Sequence, residues 1–225
     1  DSVGKVATSD CDGPAGVNNF ITGTYGTPYP TEVLMAQTWN TDLLYDLGLA
    51  MGQEYADVNN YGVYGPAMNT HRSAFAGRNF EYYSEDGVLA GKLAAAQVNA
   101  MATKGTYNYI KHFALNDQET NRCAFLLTYS NEQAIREIYL KPFELCIKNF
   151  DGTQIAVMSS FNWIGTVPAC ANEDTLTTIL RNEWGFQGMV ITDYDGSYGY
   201  MITDHCVRTG NDLMLGFSSQ ASNQL

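Results

Sequence analysis

The chain has 225 residues, 45% of them hydrophobic and 12% aromatic, so it can bury a sizeable core, and its composition argues against disorder or a coiled coil. Its formal net charge of −12 argues against nucleic acid or an anionic membrane surface as a partner, because both attract basic patches. The longest apolar runs fall far short of the roughly 18 to 20 residues of a membrane helix. A neutral small molecule suits this charge better.

The cysteines and histidines show no metal or disulfide pattern. The five cysteines are odd in number, widely spaced and without a C-x-x-C pair, so we expect buried free thiols. The three histidines lack metal-ligand spacing, and we expect no metal or organic cofactor. Free thiols favour the cytoplasm, with secretion left as an alternative.

The first half of the chain alternates helical and extended patterns. The "DLLYDLGLAMGQEYADV" segment has apolar positions at helical spacing and predicts a helix over 42–58 capped by Thr41. A short strand, "YGVYGPAM", ends at Pro66. A second helix over 87–104 stops at Gly105, and "YNYIKHF" predicts a strand over 107–113.

The second half continues the alternation. Ser130 and Gln133 form a capping-box pattern at the start of a helix over 130–150, which Pro142 should kink. The remaining predicted elements are, in order, a strand over 154–162, a helix over 175–186, a strand over 189–194 and a strand over 212–216.

This alternation predicts βαβ units and a parallel sheet. Five or six such units suit either an incomplete (β/α)8 barrel or a doubly wound sheet, but "DGPAGV" is not a Gly-rich phosphate loop. A barrel gathers all of its strand ends around one mouth, and polar residues recur at the predicted ends. We therefore expect an α/β fold of the TIM-barrel type, incomplete in this chain. The polar strand ends are Asp12, Arg78, Lys111 with His112, Asn162 and Asp193.

The stretch "GMVITDYDGS" ends a predicted buried strand on a carboxylate, Asp193. Such a residue can cap a following helix, a role that Asp195 fits better, or it can carry catalysis at the mouth of a barrel. From this stretch alone, helix capping is the simpler interpretation.

Four longer motifs occur in order along the chain: "GRNFEYYSEDGVLAG", "KHFALNDQETNR", "VMSSFNWIGTVPACAN" and "LRNEWGFQGMVITDYDG". Together they resemble the catalytic barrel of glycoside hydrolase family 3, the β-glucosidase and β-xylosidase family. The resemblance covers nearly the whole chain and implies that residues 1–225 are part of that barrel. It also implies that the family's first βα unit and an α/β sandwich domain lie outside this chain.

The resemblance implies a role for each residue that matches a family motif. Asp193 would be the nucleophile that attacks the anomeric carbon of a β-glucoside or oligosaccharide. Asp12 of "DGPAG" would grip sugar hydroxyls, and Tyr194 would line the pocket.

The other sugar contacts that the resemblance implies lie on three motifs. These residues are Arg78, Lys111, His112 and Arg122, with Phe161 standing where many relatives have a tyrosine. Hydroxyl-rich neutral sugars suit such side chains. Because nearby cations lower the pKa of a carboxyl, we also expect Asp193 to be ionised at neutral pH.

A retaining glycosidase needs a second, protonated carboxyl beside its nucleophile. The resemblance implies that a Glu of the sandwich domain, in the same polypeptide or a separate chain, supplies it. Glu119 is the nearest local candidate, and we expect it to brace Arg122 instead.

The predicted activity is that of a retaining, exo-acting β-glucosidase. A β-xylosidase and a catalytically silent sugar-binding relative are the alternatives, the latter because Asn18 and Phe161 replace an Arg and a Tyr common in relatives. A homo-oligomer is left open.

Overall fold

The computed structural model of the chain describes residues 8–152, 154–194 and 199–216. The predicted cap Asp195 lies outside these residues. The strands are β1 Asp10–Asp12, β2 Asn18–Asn19, β3 Thr24–Tyr25, β4 Gly62–Tyr64, β5 Tyr107–Phe113, β6 Leu127–Thr128, β7 Ile155–Ser159, β8 Trp163–Ile164, β9 Val167–Pro168, β10 Met189–Tyr194 and β11 Leu213–Leu215.

The helices alternate with the central strands. They are α1 Glu32–Ala36, α2 Thr41–Asp57, α3 Gly87–Ala102, α4 Glu132–Ala134, α5 Lys141–Lys148 and α6 Thr203–Arg208. Two further segments, Ile135–Tyr139 and Asp174–Glu183, are π-helical, and 3-10 turns span Asn79–Glu81 and Ala169–Ala171.

The main sheet has the order β11-β10-β7-β5-β4-β1-β2-β3. From β1 to β11 its six central strands are parallel and adjacent in chain order, without the reversal that defines a doubly wound sheet. The antiparallel β2–β3 pair extends the β1 edge, and β6, β8 and β9 form a separate small sheet. This curled half-barrel confirms the predicted incomplete α/β barrel.

β5, β7 and most of β10 are buried on both faces, as parallel strands usually are. On β10, Val190 packs in the large outer core with α3 and α5, whereas Ile191 packs inside the curl against Tyr109 and Met158. Trp184, which follows the second π-helical segment, stacks edge-on against Phe113 at 6.0 Å and joins that segment to β5.

Two helix starts differ from the sequence predictions. Asn40, rather than Thr41, caps α2, because its side chain accepts hydrogen bonds from the Asp42 and Leu43 N–H groups at 3.0 and 3.1 Å. Asn131, rather than Ser130, accepts from the Ala134 N–H at 2.8 Å at the start of α4.

The kinked helix predicted over 130–150 is in fact two helices joined by a π-helical turn. Pro142 does not lie in a helix interior; it occupies the first turn of α5, where a missing N–H group costs no hydrogen bond.

The cysteine prediction is confirmed. All five thiols are free, four of them buried and Cys123 half-buried. Among the described residues, no helix has the length and apolar content needed to span a bilayer. Nor do three His, Cys, Asp or Glu side chains within residues 8–152, 154–194 and 199–216 gather closely enough to hold a metal ion.

Candidate functional site

The carboxyl ends of the parallel strands open into a cavity of about 460 Å³. Parallel strands direct these ends to one edge, so residues distant in sequence meet there. Seven of the eight predicted site residues line the cavity: Asp12, Arg78, Lys111, His112, Arg122, Asp193 and Tyr194. Phe161, the eighth, lies beneath the Arg122 guanidinium, whose central carbon is 4.5 Å from the ring centre.

Asp193 ends the buried part of β10 and has one unoccupied carboxylate oxygen. Its Oδ1 accepts a hydrogen bond from the Tyr194 N–H at 2.7 Å. Its Oδ2 is buried and has no hydrogen-bond partner among the described residues, and His112 Nε2 stands 3.6 Å away. No hydrogen bond from the described residues occupies this oxygen, so it is available to a ligand in the cavity.

Burial is the largest influence on the pKa of Asp193 and on that of its neighbour His112. It raises the pKa of Asp193, although Lys111, Arg122 and Arg78 act to lower it. The expectation that these cations give Asp193 a lowered pKa is wrong, because the cost of desolvating a buried carboxylate is larger. Burial and the same three cations lower the pKa of His112 well below its usual range, so its ring is neutral at pH 7.

Glu119 braces two arginines at the mouth. Its Oε2 lies 3.2 Å from Arg122 Nε and its Oε1 lies 3.7 Å from Arg78 Nη1, which confirms the bracing role predicted for it. Arg78 also pairs with Glu81. Arg122 Nη1 is buried without a hydrogen-bond acceptor in the described part of the chain, so it can serve a ligand.

Lys111 and His112 lie side by side at the end of β5. Asn69 fixes the His112 backbone, since its side chain accepts from the His112 N–H at 2.8 Å and donates to its carbonyl at 2.9 Å. The Tyr82 hydroxyl lies 3.4 Å from His112 Nδ1. Lys111 is only 5% exposed, and its ammonium meets no hydrogen-bond acceptor among the described side chains.

Asp12 stands on a tight loop that helix α2 supports. The Tyr55 hydroxyl of α2 lies 3.2, 3.1 and 3.1 Å from the carbonyl oxygens of Asp12, Gly13 and Gly16. Gly16 has φ +115°, and a Cβ there would lie 2.2 Å from the Thr27 carbonyl oxygen. Gly16, the second glycine of "DGPAG", is therefore needed for this loop to pack.

A second cavity, of about 610 Å³, adjoins the first. The two share Asp12, Asn18, Arg78 and Lys111, so these residues separate them. Glu32 also lines the second cavity.

Sequence reasoning missed two acidic residues and misplaced one amide. Asp10 lines the first cavity and accepts from the Tyr107 and Tyr109 hydroxyls at 2.5 and 3.0 Å; its spacing of two from Asp12 on one strand was an available signal. Glu32 gave no signal, since nothing in "TEVLMA" marks it. Asn162 is not among the residues lining either cavity, and its side chain donates to the Ala114 carbonyl at 3.2 Å.

Taken together, the cavity offers an unoccupied carboxylate oxygen, three cationic side chains, a neutral imidazole and further carboxylates. This set suits a neutral ligand rich in hydroxyl groups, which can both donate and accept.

Comparison with known proteins agrees with this geometry. The family model described as "Glycosyl hydrolase family 3 N terminal domain" matches residues 7–212. Beta-glucosidase A of Butyrivibrio fibrisolvens is 42% identical over 215 residues, which are 95% of this chain and 25% of that protein. Beta-glucosidase B of Emericella nidulans is 39% identical over 214 residues, covering 94% and 24%.

Solved structures show the same fold. Beta-glucosidase 3B from Thermotoga neapolitana, solved with glucose, superposes with a TM-score of 0.84 at 39% identity, over 95% of this chain and 30% of that one. Beta-glucosidase from Kluyveromyces marxianus, also solved with glucose, gives 0.87 at 30% identity, over 95% and 25%. The chain spans about a quarter of the length of the curated relatives it matches.

Proposed function

The chain belongs to glycosyl hydrolase family 3, and on that premise we propose that it carries the nucleophile of a retaining, exo-acting β-glucosidase. The observation that carries this proposal is the buried Oδ2 of Asp193, which has no hydrogen-bond partner in the described chain and faces the cavity. The relatives named above are β-glucosidases, and two related structures were solved with glucose.

In this mechanism Asp193 Oδ2 attacks the anomeric carbon and the glycosidic C–O bond breaks. A separate acid protonates the leaving oxygen, and water then hydrolyses the glucosyl ester with net retention. Burial favours the protonated form of Asp193, so the cations Lys111, Arg122 and Arg78 are needed to support the ionised nucleophile.

The remaining side chains hold the sugar. Asp12 accepts from hydroxyl groups, Lys111 and Arg122 donate to them, and the neutral His112 can donate through Nε2 beside Asp193. Tyr194, which is 36% exposed at the rim, provides a surface for the apolar face of the ligand.

The acid, by this proposal, comes from an α/β sandwich domain outside residues 1–225, in the same polypeptide or a separate chain. Glu119 forms ion pairs with Arg122 and Arg78, which favour its ionised form over that of an acid, and the relatives are about four times longer than their matched segments. By the same proposal, the family's first βα unit also lies outside residues 1–225.

The test is covalent labelling of the complete protein with a 2-deoxy-2-fluoro β-glucoside that carries a dinitrophenyl leaving group. The fluorine slows both steps, and the good leaving group lets the ester accumulate. We expect denaturing mass spectrometry and peptide mapping to find one fluoroglucosyl group on Asp193.

The matched variants are Asp193→Asn and Asp204→Asn; Asp204 is an exposed aspartate that pairs with Arg208 on α6. Asp193→Asn should lower kcat by on the order of a thousandfold or more while ligand binding persists, and Asp204→Asn should change neither. A label on another residue would overturn the assignment. If the corresponding 2-deoxy-2-fluoro β-xyloside labels the protein and the glucoside does not, the protein is a β-xylosidase. Sugar binding without any label would point to a silent relative.

A further inference from the structure

Two exposed apolar side chains border the first cavity, and the proposed mechanism does not use them. Phe20 and Ile21 stand at the tip of the hairpin that joins β2 to β3, are 60% and 68% exposed, and line this cavity of about 460 Å³. Single exposed apolar residues are common on protein surfaces, but an apolar pair that lines a cavity marks a ligand-binding surface. The pair therefore suits an apolar group of a ligand.

The hairpin tip is held in place by hydrogen bonds of its neighbours. The buried Asn19 side chain accepts from the Thr22 N–H at 3.1 Å and donates to Asn60 Oδ1 at 3.2 Å. The Thr22 hydroxyl donates to Thr24 Oγ1 at 2.9 Å across the turn. Because these bonds fix the turn before a ligand arrives, little backbone freedom is lost when Phe20 and Ile21 contact one.

The opposite wall of the same cavity carries Tyr194, at the end of β10. Four strands, β7, β5, β4 and β1, separate β10 from β2 in the sheet order. In a flat sheet β10 and β2 would lie roughly 24 Å apart, at about 4.8 Å for each step between strands. They border one cavity because the half-barrel is curled, so Tyr194 and the hairpin tip stand on opposite sides of its mouth.

Polar and apolar groups occupy different depths of this cavity. The side chains of Lys111, His112 and Asp193 at the strand ends are buried, whereas those of the hairpin tip are largely exposed. The buried polar groups suit the hydroxyls of a glucosyl unit, which both donate and accept. The aglycone is then the part of a glycoside that reaches the exposed apolar rim.

We propose that Phe20 and Ile21 form, opposite Tyr194, the subsite that receives the aglycone, and that they favour aryl and alkyl aglycones over sugars. Apolar surface of the aglycone that is buried against these side chains stabilises the bound glycoside, whereas a sugar aglycone brings hydroxyls that this pair cannot satisfy. This inference rests on the proposed function, since the aglycone is the group that Asp193 displaces.

The test compares hexyl β-glucoside with methyl β-glucoside as substrates of the complete protein. The two leaving alcohols have similar basicity, so the ratio of their kcat/KM values reports contact with the alkyl chain rather than the ease of bond cleavage. We expect the wild-type protein to prefer hexyl β-glucoside by about tenfold or more. Phe20→Ala should lower this preference about fivefold and Ile21→Ala about threefold, while kcat/KM for methyl β-glucoside stays within about twofold of wild type.

Further variants separate apolar contact from other effects. Phe20→Leu keeps an apolar side chain and should retain most of the preference, whereas Phe20→Asn should lose as much of it as Phe20→Ala does. The matched controls are Phe75→Ala and Ile202→Ala, at exposed residues that line neither of the two cavities. Both controls should leave the hexyl-to-methyl ratio unchanged.

Three outcomes would overturn this inference and leave the proposed function standing. The first is a hexyl preference that is absent in wild type or persists when Phe20 and Ile21 are both replaced by alanine. The second is a loss of kcat/KM for cellobiose in Phe20→Ala as large as the loss for hexyl β-glucoside, which would show that the pair does not discriminate against a sugar aglycone. The third is a lowered Tm in Phe20→Ala with an unchanged ratio, which would show that the remainder of the protein covers the hairpin tip.

The proposed function has a separate readout. Absence of β-glucoside turnover in the wild-type protein would overturn that function, and this inference with it, before any variant is compared.

Discussion

At the scale of single residues, burial raises the pKa of three carboxyl groups. It is the largest cause of the raised pKa of Asp193, Glu32 and Asp117, even where cations or hydrogen bonds oppose it. Each such group is less stable ionised inside the fold than in water. For Asp193 the proposed role as nucleophile explains why the cost is retained. Asp117 has no proposed role in the reaction, so replacing it measures only the effect of a desolvated carboxyl on the free energy of unfolding.

Asp117→Asn should stabilise the protein, increasingly so as pH rises. Burial raises the pKa of Asp117 from its usual 3.8 to about 6, against the Thr70 hydrogen bond and the Arg72 charge. Because the pKa of Asp117 is higher in the folded state than in the unfolded state, its protonated form stabilises the fold. This contribution is fully present below about pH 4 and is lost as the pH rises through about 6. The rise corresponds to roughly 3 kcal/mol at most.

The measurement is the free energy of unfolding of wild type and Asp117→Asn between about pH 4 and pH 8. Asparagine keeps the acceptor that the Thr70 hydroxyl meets at 3.0 Å, so the hydrogen bond is not the variable. Asp57→Asn, at an exposed aspartate on α2, should show no such pH-dependent gain. Parallel wild-type and Asp117→Asn curves would show that Asp117 is not desolvated.

At the scale of elements, periodicity predicted the buried strands well and the helix ends poorly. The predicted bounds of β5 and β10 match the structure, because runs flanked by breakers and buried on both faces leave little choice. The π-helical turns follow the same apolar spacing as an α-helix to within a residue, so the pattern could not distinguish them. A helix cap depends on the geometry of one side chain, and a neighbouring polar residue can match the same sequence pattern, as Thr41 does beside Asn40.

The candidate site likewise has residues that the sequence predicted and residues that it did not. Residues that match family motifs at strand ends, such as Lys111 and Asp193, were found from the sequence and do line the cavity. Glu32 could not be found, because it and Lys111, which are 79 positions apart in sequence, line one cavity only in the folded chain. The raised pKa of Asp193 likewise depends on burial, which a motif does not report.

Helix α2 provides a test of how elements position the site. Tyr55→Phe removes the hydroxyl that lies 3.1 to 3.2 Å from the Asp12, Gly13 and Gly16 carbonyls. We expect a loss of about 1 to 2 kcal/mol in the free energy of unfolding, and a higher KM because the Asp12 loop loosens. Urea unfolding and steady-state kinetics measure the two effects.

The control is Tyr45→Phe on the same helix, where the ring is 37% exposed and no hydrogen bond of its hydroxyl is seen among the described residues. It should change stability by less than about 0.5 kcal/mol and leave KM unchanged. Equal effects from both substitutions would show that Tyr55 contributes through its ring alone.

At the scale of the whole molecule, the half-barrel assembles one side of a reaction. Six parallel strands collect the proposed nucleophile and the proposed sugar-holding groups at one edge, and Glu119, the local candidate for the acid, pairs with two arginines. Glycosyl transfer to a carboxylate needs acid assistance only when the leaving group is poor. The proposed division of labour between this chain and a second domain therefore predicts which substrates each part can process.

Residues 1–225 expressed alone, once shown by circular dichroism to be folded, should react with dinitrophenyl β-glucoside but not with unactivated β-glucosides. Dinitrophenolate leaves without a proton, so one equivalent should appear in a burst; the ester on Asp193 should then accumulate, since no base activates water. Azide, an anionic nucleophile that needs no base, should restore turnover and release β-glucosyl azide. The complete protein should turn over both substrates without azide. Steady hydrolysis of an unactivated glucoside by residues 1–225 alone would instead place the acid within this chain, with Glu119 as the first residue to replace.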